Sequence, residues 1–98
     1  MANQDHLTTL RAGVDAWNHW RGDHPHITPD LSGAELTGAN LQRANLTAAN
    51  LQDASLMRAN LQGAHLDGAN LRYVNLAGAN LQGASFENAI MDVCLGCP

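Results

Sequence analysis

From Leu31 to Leu81 a leucine stands at every fifth position, and Phe86 and Met91 extend the register to thirteen units. Two residues before each centre lies alanine in eleven of the thirteen, Pro29 and Val74 being the exceptions. One residue before the centre lies asparagine in seven. A step of five excludes both regular secondary structures. At about 100° per residue, five residues displace a helical side chain by about 140°, so successive leucines share no face. A strand alternates faces with a period of two, so an odd step sends each leucine to the opposite side. Within one unit, however, Ala and Leu are two apart and face the same way. The fifth residue must then re-aim the chain. Glycine tolerates backbone angles that other residues resist, and it holds that position at Gly33, Gly38, Gly63, Gly68, Gly78 and Gly83. The pattern is a short strand and a corner, repeated.

Units such as ANLQR, ANLTA, ANLQD, ANLQG and ANLRY fit the motif A(D/N)LXX, and residues 29–93 resemble the pentapeptide-repeat family. The resemblance implies an all-β solenoid, a right-handed quadrilateral β-helix in which each unit forms one side and four units form one coil. The centre leucines and the preceding alanines would fill the inside. Thirteen units then make just over three coils, about 15 Å tall at about 4.8 Å between neighbouring strands.

An open coil end exposes apolar centres and unpaired backbone, so a solenoid needs covered ends. Residues 1–28 read as an N-terminal helical cap and linker. Leu7, Leu10, Val14 and Trp17 recur at helical spacing, which predicts a helix over residues 4–21 that lays Leu10, Val14 and Trp17 on the first coil. Asn3 or Asp5 would start it, and Gly13 would weaken it by up to about 1 kcal/mol. The family often carries a similar AWN.W helix, which the resemblance brings to Trp17 and Trp20. No such helix follows the repeats. Residues 94–98 form a tail in which Leu95 is out of register and Gly96 falls where a centre belongs. Phe86, Ile90, Met91, Cys94 and Leu95 are therefore expected to form an association surface, either end to end between copies or by continuation into another repeat chain.

Composition narrows the function classes. Nine acids against five arginines, with no lysine, give a formal charge of -4, which argues against a nucleic-acid partner. No apolar run approaches the length of a membrane span, and the N-terminus lacks a signal-peptide pattern, so a cytoplasmic protein is expected. No hydroxyl, histidine and acid stand at a recognisable catalytic spacing, and no phosphate loop is present. An alanine–leucine interior leaves no pocket, so the chain reads as a non-enzyme without cofactors. CLGC is a lone C-x-x-C, which lacks the second ligand pair that zinc requires. A structural role is expected for Cys94 and Cys97, with metal or redox sensing as the alternative. His19, Asp23, His24 and His26 cluster in HWRGDHPH, where a loop between helix and coil is the simpler explanation. His65 stands alone on an outer side.

Residues twenty apart should stack on the outer sides. Gln42, Gln62 and Gln82 would form one ladder, with Asn40, Asn60 and Asn80 beside it pairing their amides. The side bearing Met57, Arg58 and Ala77, with Tyr73 at its corner above Asp53, departs most from this polar monotony and is the candidate partner surface. The function expected is a protein-interaction or scaffold module with an unknown partner. Some family members mimic DNA and act on DNA gyrase. About 15 Å of duplex carries about nine charges, whereas residues 29–93 hold six acids and three arginines, so mimicry is disfavoured.

Overall fold

The computed structural model describes residues 1–98. Two helices come first, α1 over Gln4–Arg11 and α2 over Val14–Asp23. The thirteen units follow without any long strand. Ten isolated parallel bridges join residues twenty apart, from Asp30↔Asn50 to Asn75↔Leu95. Four five-residue units thus bring the chain round to lie beside itself.

Each corner has one backbone geometry. The residue two after the centre has a φ of 53–73° in all thirteen units, glycine or not. In twelve units the next amide returns to the centre carbonyl, as in Ala54 N–H to Leu51 C=O at 2.9 Å. A positive φ at the third of four turn residues, with this bond, is a type II turn. Glycine marks six corners, and Arg43, Ala48, Asp53, Arg58, Tyr73, Asn88 and Val93 adopt the same strained region.

The backbone amides of one unit account for themselves completely. Asn50 N–H donates to Pro29 C=O in the coil before, and Leu51 N–H and Asp53 N–H donate to Asn70 and Arg72 in the coil after. Ala54 N–H closes the turn. Only Gln52 N–H has no carbonyl in reach, and Asn50 Oδ1 accepts it at 3.1 Å. All seven centre-preceding asparagines make this bond, and Asp30 and Glu35 make it in the first two units. This corrects the expected amide ladder. The asparagines act within their own units, and of their amides Asn70 Nδ2 alone reaches across coils, to Asn50 Oδ1 and Gln52 Oε1.

Inside, the centre leucines from Leu46 to Leu71 are fully buried, with the alanines between them. No polar side chain is buried with them. Each such leucine contributes about 1.5–3 kcal/mol before entropy is subtracted.

The expected single helix over residues 4–21 is two helices. Gly13 takes a φ of 124° and breaks the run, a larger effect than the loss of propensity expected of it. Asn3 Oδ1 accepts Asp5 N–H and His6 N–H, which starts α1. The pair lies against the first coil through Leu10 and Trp17, both buried, while Val14 is half-buried. It also supplies donors to the coil edge. Trp17 Nε1 and Arg21 Nη1 both donate to Asn45 C=O, Arg21 Nη2 to Thr47 C=O, Arg11 Nη2 to Glu35 C=O and Asn3 N–H to Asp30 C=O. Burial lowers the Arg21 pKa from its ordinary value. Asn18 both accepts from Asn45 N–H and donates to Arg43 C=O.

Ser32 donates its hydroxyl and its amide to the Asp30 carboxylate and holds that carboxyl below the usual range. Thr37 does the same for Glu35. Because both folded values are depressed, the stability they contribute is full above the usual carboxylate range. It is lost as pH falls through the lowered values. The melting temperature of the parent should therefore drop more between about pH 5 and about pH 2 than that of the Asp30→Asn, Glu35→Gln double variant. Two further outcomes follow from the repeat. Leu61→Asp places a charge where the parent is fully buried and should abolish the cooperative thermal transition. Gly68→Ala should destabilise, and Ala48→Gly stabilise, by about 1 kcal/mol in denaturant melts, because both positions are exposed and hold a positive φ, and a Cβ on Gly68 would meet nothing closer than the Ala48 backbone at 4.0 Å.

Candidate interaction surface

The interior is packed, so any site lies outside it. The largest concavity, about 660 Å³, lies between the α1–α2 elbow and the first coil and is lined by Leu10, Val14, Leu36, Leu41 and neighbours. No three His, Cys, Asp or Glu side chains converge as metal ligands would. His19 and Asp23 pair at 3.3 Å on the α2 surface, and His24 turns to the Trp20 carbonyl. Trp20 stacks between Trp17 and His24, with His6 at its edge. His65 is exposed, and Ser85 Oγ lies 3.4 Å from its Nδ1. Ser85 Oγ and Glu87 N–H both donate to Asp67.

The four residues singled out as a partner surface fall on one wall. Arg58 N–H donates to Ala77 C=O at 2.9 Å, which puts Met57 and Ala77 in adjacent coils. Arg58 and Tyr73 stand at the two corners that bound residues 74–77 (the Arg58 corner being continued by Gly78). A Cβ on Gly78 would lie 3.2 Å from Arg58 Cγ, so the arginine stem lies against that glycine. Tyr73 is 56% exposed. The wall extends further than the sequence suggested. Val93 stands at the corner one coil on from Tyr73, and Leu95 pairs with Asn75, and they are 72% and 60% exposed. The corner position of Val93 follows from the five-residue period, and a valine at an outward corner was the available signal of an exposed apolar residue. Arg72 and Asp92 meet at 3.5 Å beside it.

The last coil differs from those beneath it. Leu61, Leu66 and Leu71 are fully buried, whereas Leu81, Phe86 and Met91, one coil on, are only partly buried. The amides of Leu81, Phe86 and Met91 have no backbone acceptor, and the carbonyls of Ala79, Ala84 and Ala89 have no backbone donor. Ile90 is also exposed at this end. Leu95, out of register by sequence, nevertheless completes a bridge. Its amide donates to Val74 C=O and its carbonyl accepts Leu76 N–H at 2.7 Å. The path then ends locally. Gly96 occupies a centre position with a φ of 79°, unlike any centre before it. Cys97 returns to Cys94 as a disulfide with Cα atoms 5.6 Å apart, within the ordinary range for such a bond. Cys94 thus has both its repeat position and a covalent partner.

With corners, bridges and core in place, the family comparison is direct. The model of pentapeptide repeats matches eight copies over residues 30–63 and 54–92. The chain belongs to the pentapeptide-repeat family. Among solved pentapeptide-repeat proteins, it is similar to HetL of the cyanobacterium Nostoc sp. strain PCC 7120, which is involved in heterocyst differentiation regulation. That likeness has 40% identity and a TM-score of 0.58 over 63% of this chain and 32% of that one. It is also similar to Rfr23 of the cyanobacterium Cyanothece 51142, at 49% identity and a TM-score of 0.52 over 62% of this chain and 39% of that one. The chain thus spans about a third of either protein's length. No curated protein matches the sequence. Members of this family are generally non-catalytic repeat proteins, and no helix here is long and apolar enough to cross a membrane.

The terminal turn gives a local test. A Cβ on Gly96 would lie 2.9 Å from Leu76 C and 3.0 Å from Ala77 N, both backbone atoms that cannot swing aside. Gly96→Ala should release the Leu95 strand and speed hydrogen exchange at the Leu76 amide, while Leu61 and Leu66 keep parental protection.

Proposed function

We propose that this pentapeptide-repeat protein is a non-enzymatic protein-interaction module. Its body is a rigid β-helix of about three coils, with α1 and α2 packed on the first. The observation that carries this is the last coil edge, where unpaired amides and carbonyls border the partly exposed Leu81, Phe86 and Met91. Polar backbone left beside apolar side chains is costly in water and favours association. The adjoining wall of Met57, Arg58, Tyr73, Ala77, Val93 and Leu95 supplies an exposed aromatic and arginine, residue types that anchor interfaces.

The net charge of residues 29–93 remains far below that of duplex DNA over the same height, which disfavours gyrase mimicry. The Cys94–Cys97 bond acts on our reading as a structural clasp for the terminal turn. A bond of this kind persists in oxidising compartments and is reduced in most cytosols, so it weighs against the cytoplasmic location that the sequence suggested.

Capture from the native host on the chain with its C-terminal end untagged tests the module. A protein retained by the parent should be lost with Tyr73→Ala or Phe86→Arg while both variants keep the parental melt. Retention of the same proteins by parent and variants would sink this function.

A further inference from the structure

The first coil follows two helices rather than another coil, and its edge needs the same bonds on every side. In later coils the residue before each centre donates its amide to the preceding coil and accepts an amide at its carbonyl. The residue after the centre accepts a second amide. Asn60 and Gln62 meet Ala39 C=O, Leu41 N–H and Arg43 N–H in this way. On the side of the first coil formed by residues 44–48, α2 meets all three positions, with Asn18, Trp17 and Arg21 on Asn45 and Thr47. On the side formed by residues 29–33, His6 accepts the Asp30 amide and Asn3 N–H meets the Asp30 carbonyl. On the next side Arg11 meets the Glu35 carbonyl alone. On the side formed by residues 39–43 nothing is met. Asn40 N–H, Asn40 C=O and Gln42 C=O are all without a partner.

The gap has a structural cause. α1 ends at Arg11 and α2 begins at Val14, and Ala12 and Gly13 between them carry no side-chain donor. The elbow therefore crosses this side without bonding to it. It leaves the groove of about 660 Å³ described above, bounded by the elbow and by Leu36 and residues 39–43. That volume lies within the range of sites that enclose a ligand. A Cβ on Gly13 would meet nothing within 4 Å, so no neighbour presses on the elbow.

The bonds left open define the class of occupant. One donor and two acceptors on alternate residues match an extended backbone, which presents the amides and carbonyls of every second residue along one edge. A helix bonds those groups within itself. Charge then selects among extended segments. Two of the five arginines, Arg11 and Arg43, line this groove with one of the nine acids, Asp15. A net positive groove thus lies on a chain of net charge -4. Leu10, Val14, Leu36 and Leu41 supply its apolar lining. We propose that an extended acidic segment of a partner protein adds here as a strand beside residues 39–43. Its backbone bonds Asn40 and Gln42, its small apolar side chains face Leu10 and Val14, and a carboxylate faces Arg43. This site goes beyond the contact reading above and uses neither the Tyr73 wall nor the last coil.

Random linear peptides displayed on phage and selected on the full chain test the site. The parent should enrich sequences rich in Asp and Glu. The strongest, made as a free peptide, should bind Ala16→Trp and Arg43→Glu about tenfold or more weakly. The first fills the groove from the exposed face of α2 and the second reverses its charge, and both residues are exposed, so both variants should keep the parental melt. Hydrogen exchange reads the place. In the free chain the Asn40 amide should exchange as an open amide, unlike that of Asn60, which donates to Ala39 C=O at 2.9 Å. Saturating peptide should slow the Asn40 amide by about tenfold or more. No enrichment on the parent over Ala16→Trp would overturn the proposal, and so would enrichment of basic peptides. Slowing of the Asn40 amide with protein concentration alone would assign the groove to a second copy and overturn it too. A peptide lost with Tyr73→Ala but not with Ala16→Trp would also overturn it, while leaving the interaction module standing on its wall.

Discussion

A chain that turns a corner every five residues must find a partner for every amide on each circuit. Four amides of a unit are met by carbonyls, two in the next coil, one in the previous coil and one across the turn. The fifth, just after the centre, meets none, and the asparagine side chain before the centre accepts it. The remaining features follow from that closure. It leaves alanine and leucine free to face inward without a polar group among them, and so the interior holds no buried polar side chain. It also confines chemical variety to the outer sides and the corners.

Because each coil is satisfied only by its neighbours, the two ends are chemically different problems. The first coil lacks donors from a preceding coil, and the helical segment supplies substitutes. Indole, guanidinium and amide groups from Asn3, Arg11, Trp17 and Arg21 meet carbonyls that another coil would have met, and Asn18 Oδ1 accepts the Asn45 amide in the same way. That explains a helix whose buried face is modest but whose polar side chains reach far. In the last coil, Leu81, Phe86 and Met91 are less buried than the centre leucines beneath them. Stability rests on the middle of the solenoid, where the centre leucines are fully buried, and the breaks in the pattern are where apolar side chains are exposed.

Much of this was legible in the sequence, and for a physical reason. Leu46, Leu51 and Leu56 declare an interior because five-residue spacing has no other consistent solution once helix and strand fail. The glycines at six corners showed where the chain bends. Arg43, Ala48 and Val93 stand at corners of the same period but give no sign of a positive φ, since propensity at one residue is overridden when the whole lattice fixes its φ. The asparagine column was visible but its purpose was not. Spacing of twenty suggested bonds between coils, whereas Asn60 and Asn80 bond within their own units. Gly13 was read as a weak point in one helix, and only the position of the first coil beneath α1 and α2 makes it a break. Met57, Arg58, Tyr73 and Ala77 do share a wall, and the structure adds Val93 and Leu95 to it.

The sequence by itself determined the repeat, the side of each unit that faces inward and the family, because burial of one leucine in five is a local rule repeated thirteen times. Tertiary structure alone decided the partner of each asparagine, the sharing of one wall by Met57, Tyr73 and Leu95, and the joining of Cys94 to Cys97. Those depend on which residues lie one coil apart, a relation between distant positions that no five-residue window contains.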